Sequence, residues 1–164
     1  MLRFAWSVFF LIVLGATTVV SAAEWPCWRG PHGDGTSEEQ HVPIHWSAQE
    51  NIAWKIAVPG IGHASPIVWQ DRIFLLTCLV DSGDRVLMCL DRKSGQTLWQ
   101  QTVITAALEE KHELNSHASS TPATDGESVY VTFLAKDDIV VAAYDFAGRQ
   151  RWLVRPGEFH SKHG

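Results

Sequence analysis

The chain has 164 residues, 46% of them hydrophobic and 19% charged, with a formal net charge of -5. Those proportions describe an ordinary folded protein. A mildly acidic balance with no run of Lys or Arg excludes a nucleic-acid surface, which needs clustered positive charge against phosphate.

The first segment differs from the rest. Arg3 supplies a positive region, Phe9 to Leu14 an apolar stretch, and Val20-Ser21-Ala22-Ala23 the small residues that a signal peptidase requires. Residues 1–23 are read as a cleaved signal peptide, which makes the protein exported, periplasmic or extracellular. The uncharged stretch from Phe4 to Val20 spans 17 residues, only the lower limit for crossing a bilayer; no stable membrane span is expected, and the alternative to cleavage is a retained membrane anchor. Cys27 follows Glu24-Trp25-Pro26, which lacks the Leu and small residues of a lipobox. Residues 24–50 form an arm rich in Trp, Gly and Pro, expected to pack two tryptophans against the body of the protein.

From residue 51 to 164 the chain repeats itself. Trp54, Trp99 and Trp152 each sit in a short apolar strand, spaced by 45 and 53 residues. The run from Ser65 to Leu75 aligns without gaps on Thr121 to Val131, and both read as strand, polar turn, strand. Arg85 to Asp91 and Ile139 to Asp145 follow as runs of β-formers ending in an aspartate. A glycine turn and a Trp strand complete each unit. Four strands at a period of about 45 residues is the spacing of a propeller blade. The fold class is therefore all-β: a partial β-propeller of about two four-stranded blades, plus one strand, Ile52 to Val58, of an incomplete blade. Trp54 to Pro66 is 12 residues and Trp99 to Pro122 is 23, so the second connection carries eleven more. Its Ala106 to Lys111 stretch has a helix-favouring composition and predicts one surface turn of helix.

Three cysteines, Cys27, Cys78 and Cys89, leave at least one unpaired and imply no disulfide framework. With Ser82-Gly83 as the hairpin turn, Cys78 falls opposite Leu87 and diagonal to Cys89, an offset that disfavours a bridge.

Cys89-Leu90-Asp91-Arg92-Lys93-Ser94-Gly95-Gln96-Thr97-Leu98-Trp99 resembles the tryptophan-docking motif of quinoprotein dehydrogenase propellers, with Cys and Ser in place of Ala and Thr. Ala143 to Trp152 resembles the same motif with one turn residue deleted. The physical parts agree: Gly95 and Gly148 permit a left-handed turn, Asp91 and Asp145 cap its amides, and each Trp, including Trp54, packs onto the neighbouring blade. The arm Trp25-Pro26-Cys27-Trp28-Arg29-Gly30-Pro31 is similar to the leader of large exported propellers of planctomycete-like bacteria. The chain is thus identified as a member of the PQQ-like (pyrroloquinoline quinone) repeat family, whose relatives also include the propeller lipoprotein of outer-membrane barrel assembly.

In the dehydrogenases of that family the resemblance implies a quinone held over calcium. This sequence lacks their adjacent Cys-Cys pair and any match to their cofactor floor, so no catalytic residue is assigned and no cofactor-binding residue is identified. PQQ with calcium is expected only on the reading that these are blades of a quinone-dependent dehydrogenase. His63, His117, His160 and His163 fall in equivalent connections before the innermost strands and are candidate metal ligands; the alternative is polar rim residues bonded to loop carbonyls. No Gly-x-Ser-x-Gly elbow, phosphate loop or His-Glu-x-x-His is present. The reading is an exported binding or scaffold module, non-catalytic and expected to be a truncated fragment, whose partner is an unknown protein or missing propeller blades.

Overall fold

The computed structural model describes residues 23–40 and 42–160; most of the expected leader, together with His163, lies outside them. Eight strands follow in chain order: β1 (Ile67–Trp69), β2 (Arg72–Leu79), β3 (Asp84–Asp91), β4 (Thr97–Thr105), β5 (Ala123–Thr124), β6 (Ser128–Ala135), β7 (Asp138–Asp145) and β8 (Gln150–Glu158). They form two four-stranded antiparallel sheets, β1-β2-β3-β4 and β5-β6-β7-β8. Each sheet is one blade, so the partial all-β propeller expected from the repeat is the architecture observed. Among the described residues there is no helix, and so none long and apolar enough to cross a membrane.

Strand alternation builds the core. Phe74, Leu76 and Cys78 of β2 and Leu87 and Cys89 of β3 project from one face of the first sheet, and Val129, Val131 and Phe133 of β6 with Val140, Ala142 and Tyr144 of β7 meet them from the second. The opposite face of the first sheet carries Val86, Met88 and Leu90, against which Ile56 packs. Ile52 to Val58 itself joins neither ladder.

Between blades the contact is an indole laid on a glycine. The Trp54 ring lies over Gly95, where an added Cβ would stand 2.5 Å from Cε3, and the Trp99 ring lies over Gly148, where it would stand 2.9 Å from Cδ2. Both glycines have left-handed backbones, with φ of 73° and 84°. Trp54 Nε1 donates to the Arg92 carbonyl at 2.9 Å and Trp99 Nε1 to the Phe146 carbonyl at 3.0 Å, in each case the residue after the capping aspartate. Asp91 Oδ1 accepts the Ser94 amide at 2.7 Å and hydroxyl at 2.6 Å; Asp145 Oδ1 accepts the amides of Ala147 at 3.0 Å and Arg149 at 2.9 Å. The Ser94 hydroxyl and amide lower the Asp91 pKa, and the Arg149 amide lowers that of Asp145. Because both folded values lie below the unfolded ones, this stabilisation is present above the ordinary carboxylate range and lost as pH falls through the folded values.

Four expectations need correction. The β2–β3 turn spans Val80 to Gly83, with Leu79 opposite Asp84 and the Gly83 amide donating to the Leu79 carbonyl at 2.8 Å, so Cys78 faces Arg85 rather than Leu87. Cys89 faces Phe74, four positions along β2 from Cys78, and all three cysteines are free thiols. Ala106 to Lys111 forms no helix, because both backbone groups of Ala106 are engaged elsewhere: its amide donates to the Gly83 carbonyl and its carbonyl accepts from Arg85. Of the arm's three tryptophans only Trp25 is half-buried, in a segment that exchanges backbone bonds with Val68, whereas Trp28 is 60% exposed under the Arg29 guanidinium and Trp46 69% exposed.

Replacing the half-buried Trp99 with Ala should cost about 3 kcal/mol, the lower end for large aromatics in a core, whereas replacing the exposed His63 should change stability by under about 0.5 kcal/mol. Denaturant melts of the two variants check this; equal small losses would contradict the assigned blade contact.

Candidate functional site

The sequence-predicted residues divide cleanly in space. Asp91, Gly95, Trp99, Asp145, Gly148 and Trp54 are all taken up in holding one blade to the next. Trp152 occupies the equivalent place on the second blade, with its ring 6.0 Å from that of Tyr130, and is 41% exposed.

The three candidate histidines among the described residues do not gather at one metal site. His63 is exposed, and its amide donates to Ser116 Oγ and the Ala118 carbonyl, at 3.1 and 3.0 Å. His160 pairs at the surface with Asp137 and Glu158, at 3.2 and 3.4 Å. His117 alone turns inward, its side chain 7% exposed. Among the described residues no three His, Cys, Asp or Glu side chains gather as a metal site.

What the longer connection between the blades does build is a buried charge chain. Arg85, the second residue of β3, stands beside the β2–β3 turn with no exposed side-chain surface. Its Nη1 donates to the carbonyls of Gly83 at 2.8 Å and Ala106 at 3.2 Å, and its Nη2 to Glu109 Oε2 at 2.5 Å. The other Glu109 oxygen, Oε1, lies 3.2 Å from His117 Nδ1, within ion-pair reach but off the line of a hydrogen bond. Arg85 Nε is buried without a partner. The carboxylate thus compensates a guanidinium that would otherwise be isolated, and it fixes the path of the connection as it does so.

Around this chain the backbone is tied by hydroxyls. Ser116 Oγ accepts the amides of His63 and Ala118, each at 3.1 Å, and Asn115 Oδ1 accepts the Ser116 amide at 2.8 Å and the Ser119 hydroxyl at 2.6 Å. Between the connection and the β6–β7 hairpin lies a cleft of about 550 Å³. His117, Glu109 and the serines 116, 119 and 120 line it from the connection; Thr132, Phe133, Lys136, Asp137 and Ile139 line it from the hairpin. Its size suits a small ligand or a few residues of a peptide, and among its lining groups Asn115, Ser116 and Ser119 are bonded to one another.

Two further groups are set by their surroundings. Burial pushes the Cys89 thiol up to about 11 and raises that of Cys78, which makes both poor nucleophiles. In the β5–β6 turn Asp125 accepts from the Tyr130 hydroxyl and from the Ser128 and Glu127 amides, led by the hydroxyl, and its pKa falls to about 2.

Sequence reasoning missed Arg85 and Glu109 as a pair. A charged residue inside the apolar run Asp84 to Asp91 was a usable signal for Arg85. Nothing local marks Glu109, because its partner is 24 residues away and is reached only through the folded path of the connection.

A PQQ-repeat family described as outer membrane protein assembly factor BamB matches residues 44–155, more than half of the chain, and the chain belongs to that family. Among solved structures, BamB from Moraxella catarrhalis is similar at 22% identity with a TM-score of 0.48, over 63% of this chain. The chain spans 28% of the length of that structure. Comparison with curated proteins gives no match.

Removing the Glu109 carboxylate as Glu109→Ala should destabilise the fold by about 3–5 kcal/mol, the cost of stranding a buried charge. Glu110→Ala should be near neutral. Thermal or denaturant unfolding of the two variants distinguishes them.

Proposed function

We propose that this chain is a non-catalytic binding or scaffold module that acts outside the cytoplasm. The observation that carries the reading is the use made of the repeat. Asp91, Gly95, Asp145, Gly148 and the tryptophans laid on those glycines fasten the first segment and the two blades together, and the Arg85–Glu109 ion pair, with His117 beside it, holds a connection in place. On this reading the chain acts by presenting surface.

Two further points support the reading. The matched family is described as an outer membrane protein assembly factor, which is a scaffold-type role. The composition of residues 1–23 fits a signal peptide, and hence export. A quinone-dependent dehydrogenase is the competing reading, and it rests on the shared repeat alone.

Incubation with pyrroloquinoline quinone and calcium followed by gel filtration separates the two. The scaffold reading expects no quinone absorbance to travel with the protein. Stoichiometric retention of the chromophore would overturn it.

A further inference from the structure

The two blades differ at one matched place, the point where the chain enters them. Ahead of the first blade the entering segment lies down on the end of β2: the Ile61 amide donates to the Cys78 carbonyl at 3.0 Å and the Cys78 amide to the Ile61 carbonyl at 2.8 Å. The Thr77 hydroxyl donates to the Pro59 carbonyl at 2.6 Å and clamps the segment there. Two glycines permit so close an approach. A Cβ on Gly60 would stand 2.3 Å from the Cys78 carbonyl oxygen, and one on Gly62 would stand 2.9 Å from that of Leu76.

Strands β2 and β6 correspond residue for residue, so Leu134 stands in the second blade where Cys78 stands in the first. Counting back from the aligned Ser65 and Thr121 puts His117 at the place of Ile61. Here the pairing is missing. Among the described residues His117 and Leu134 form no bridge, and both line the cleft of about 550 Å³. The residues at the places of Gly60 and Gly62 are Ser116 and Ala118, whose side chains would meet the strand at that distance, and Phe133 replaces the clamping Thr77. Leu134 has the parity of Tyr130, which faces β5, so its N–H and C=O point away from β7 and into the gap. The second blade thus carries an unpaired piece of strand edge at the wall of a cleft, and the first blade shows what fits such an edge.

We propose that the cleft is the docking site of an extended peptide that lies against Leu134 as Ile61 lies against Cys78. Its central residue exchanges N–H and C=O bonds with Leu134 and is flanked on both sides by glycine. The central side chain is apolar, matching the Leu134, Ile139 and Phe159 side chains of the cleft wall. The chain itself sets these terms, since it fills the matching place in the first blade with Gly60-Ile61-Gly62. Recognition is by strand addition, in which backbone bonds supply affinity and the fit of the side chains supplies specificity. The assignment names a ligand class for the binding module proposed above and rests on that reading for its role.

The probe is the segment Ala57 to His63 as a synthetic peptide with blocked ends, added to the full chain and followed by amide hydrogen exchange. Exchange at Leu134 should slow about ten-fold at saturating peptide. Methylating the Ile61 nitrogen of the peptide should weaken binding about ten-fold, the loss of one backbone hydrogen bond, and Val in place of both peptide glycines should weaken it at least as much. The chain carries no substitution in these measurements, so its folding is not at stake. An unchanged Leu134 amide at millimolar peptide, or binding indifferent to the methyl group and to both valines, would overturn the proposal. So would exposure of the chain's own Ile61 amide in place of protection at Leu134, the sign of a peptide that only displaces its parent segment. Protection of Leu134 that grows with chain concentration in the absence of peptide would make the occupant a second copy and would also overturn it. The two failures are distinct: quinone retention counts against the binding-module reading, and an unmoved Leu134 amide against the cleft assignment alone.

Discussion

A tryptophan laid flat on a glycine is the contact on which the rest of this structure depends. A four-stranded antiparallel sheet is stable only when its apolar faces are covered, and here the cover for one blade is the next. The indole fixes how the two approach. It reaches across the gap, meets a residue with no Cβ, and donates its N–H to the carbonyl that follows the capping aspartate. Three elements are needed together: a left-handed glycine, an aspartate that holds the turn, and a Trp from the segment or blade that precedes them in the chain. Their recurrence at Gly95 and Gly148 gives the contact between the two blades and the contact of the Trp54 segment with the first blade the same geometry.

The connection between the blades is shaped by a different constraint. Arg85 lies beside the apolar run Val86 to Leu90 of β3 with its side chain fully buried, and its charge is tolerable only with a carboxylate against it. Glu109 supplies one, which pulls the extra residues of the connection over the β2–β3 turn and sets His117 beside the second oxygen. The cleft next to the β6–β7 hairpin is a consequence of that path. A shorter connection like the one before Pro66 would leave Arg85 without its counter-charge.

Much of this was legible in the sequence because repetition makes long-range structure visible locally. The gapless match of Ser65–Leu75 to Thr121–Val131 revealed two blades, and the Asp-turn-Gly-Trp spacing revealed what joins them. The errors came where the outcome depended on a local choice between near-equal alternatives. Ser82-Gly83 reads as a two-residue turn, but the Gly83 amide reaches the Leu79 carbonyl and closes a four-residue one, which shifts the register. Ala106 to Lys111 has helix-favouring residues, yet six residues do not outweigh the cost of nucleation once Ala106 is bonded to the hairpin. The histidines looked equivalent in sequence and diverge in space, since His117 alone meets a buried carboxylate.

The account rests on the indole and the glycine acting as one unit, and a double-mutant cycle between Trp99 and Gly148 measures that directly. Gly148→Ala introduces a Cβ into the Trp99 ring and a side chain at φ of 84°; Trp99→Ala removes the ring and leaves only the backbone strain. The two losses should therefore fall short of additivity, with a coupling energy of about 0.5–3 kcal/mol, the range for residues in contact. Additive losses would contradict the claim that this contact sets the spacing of the blades.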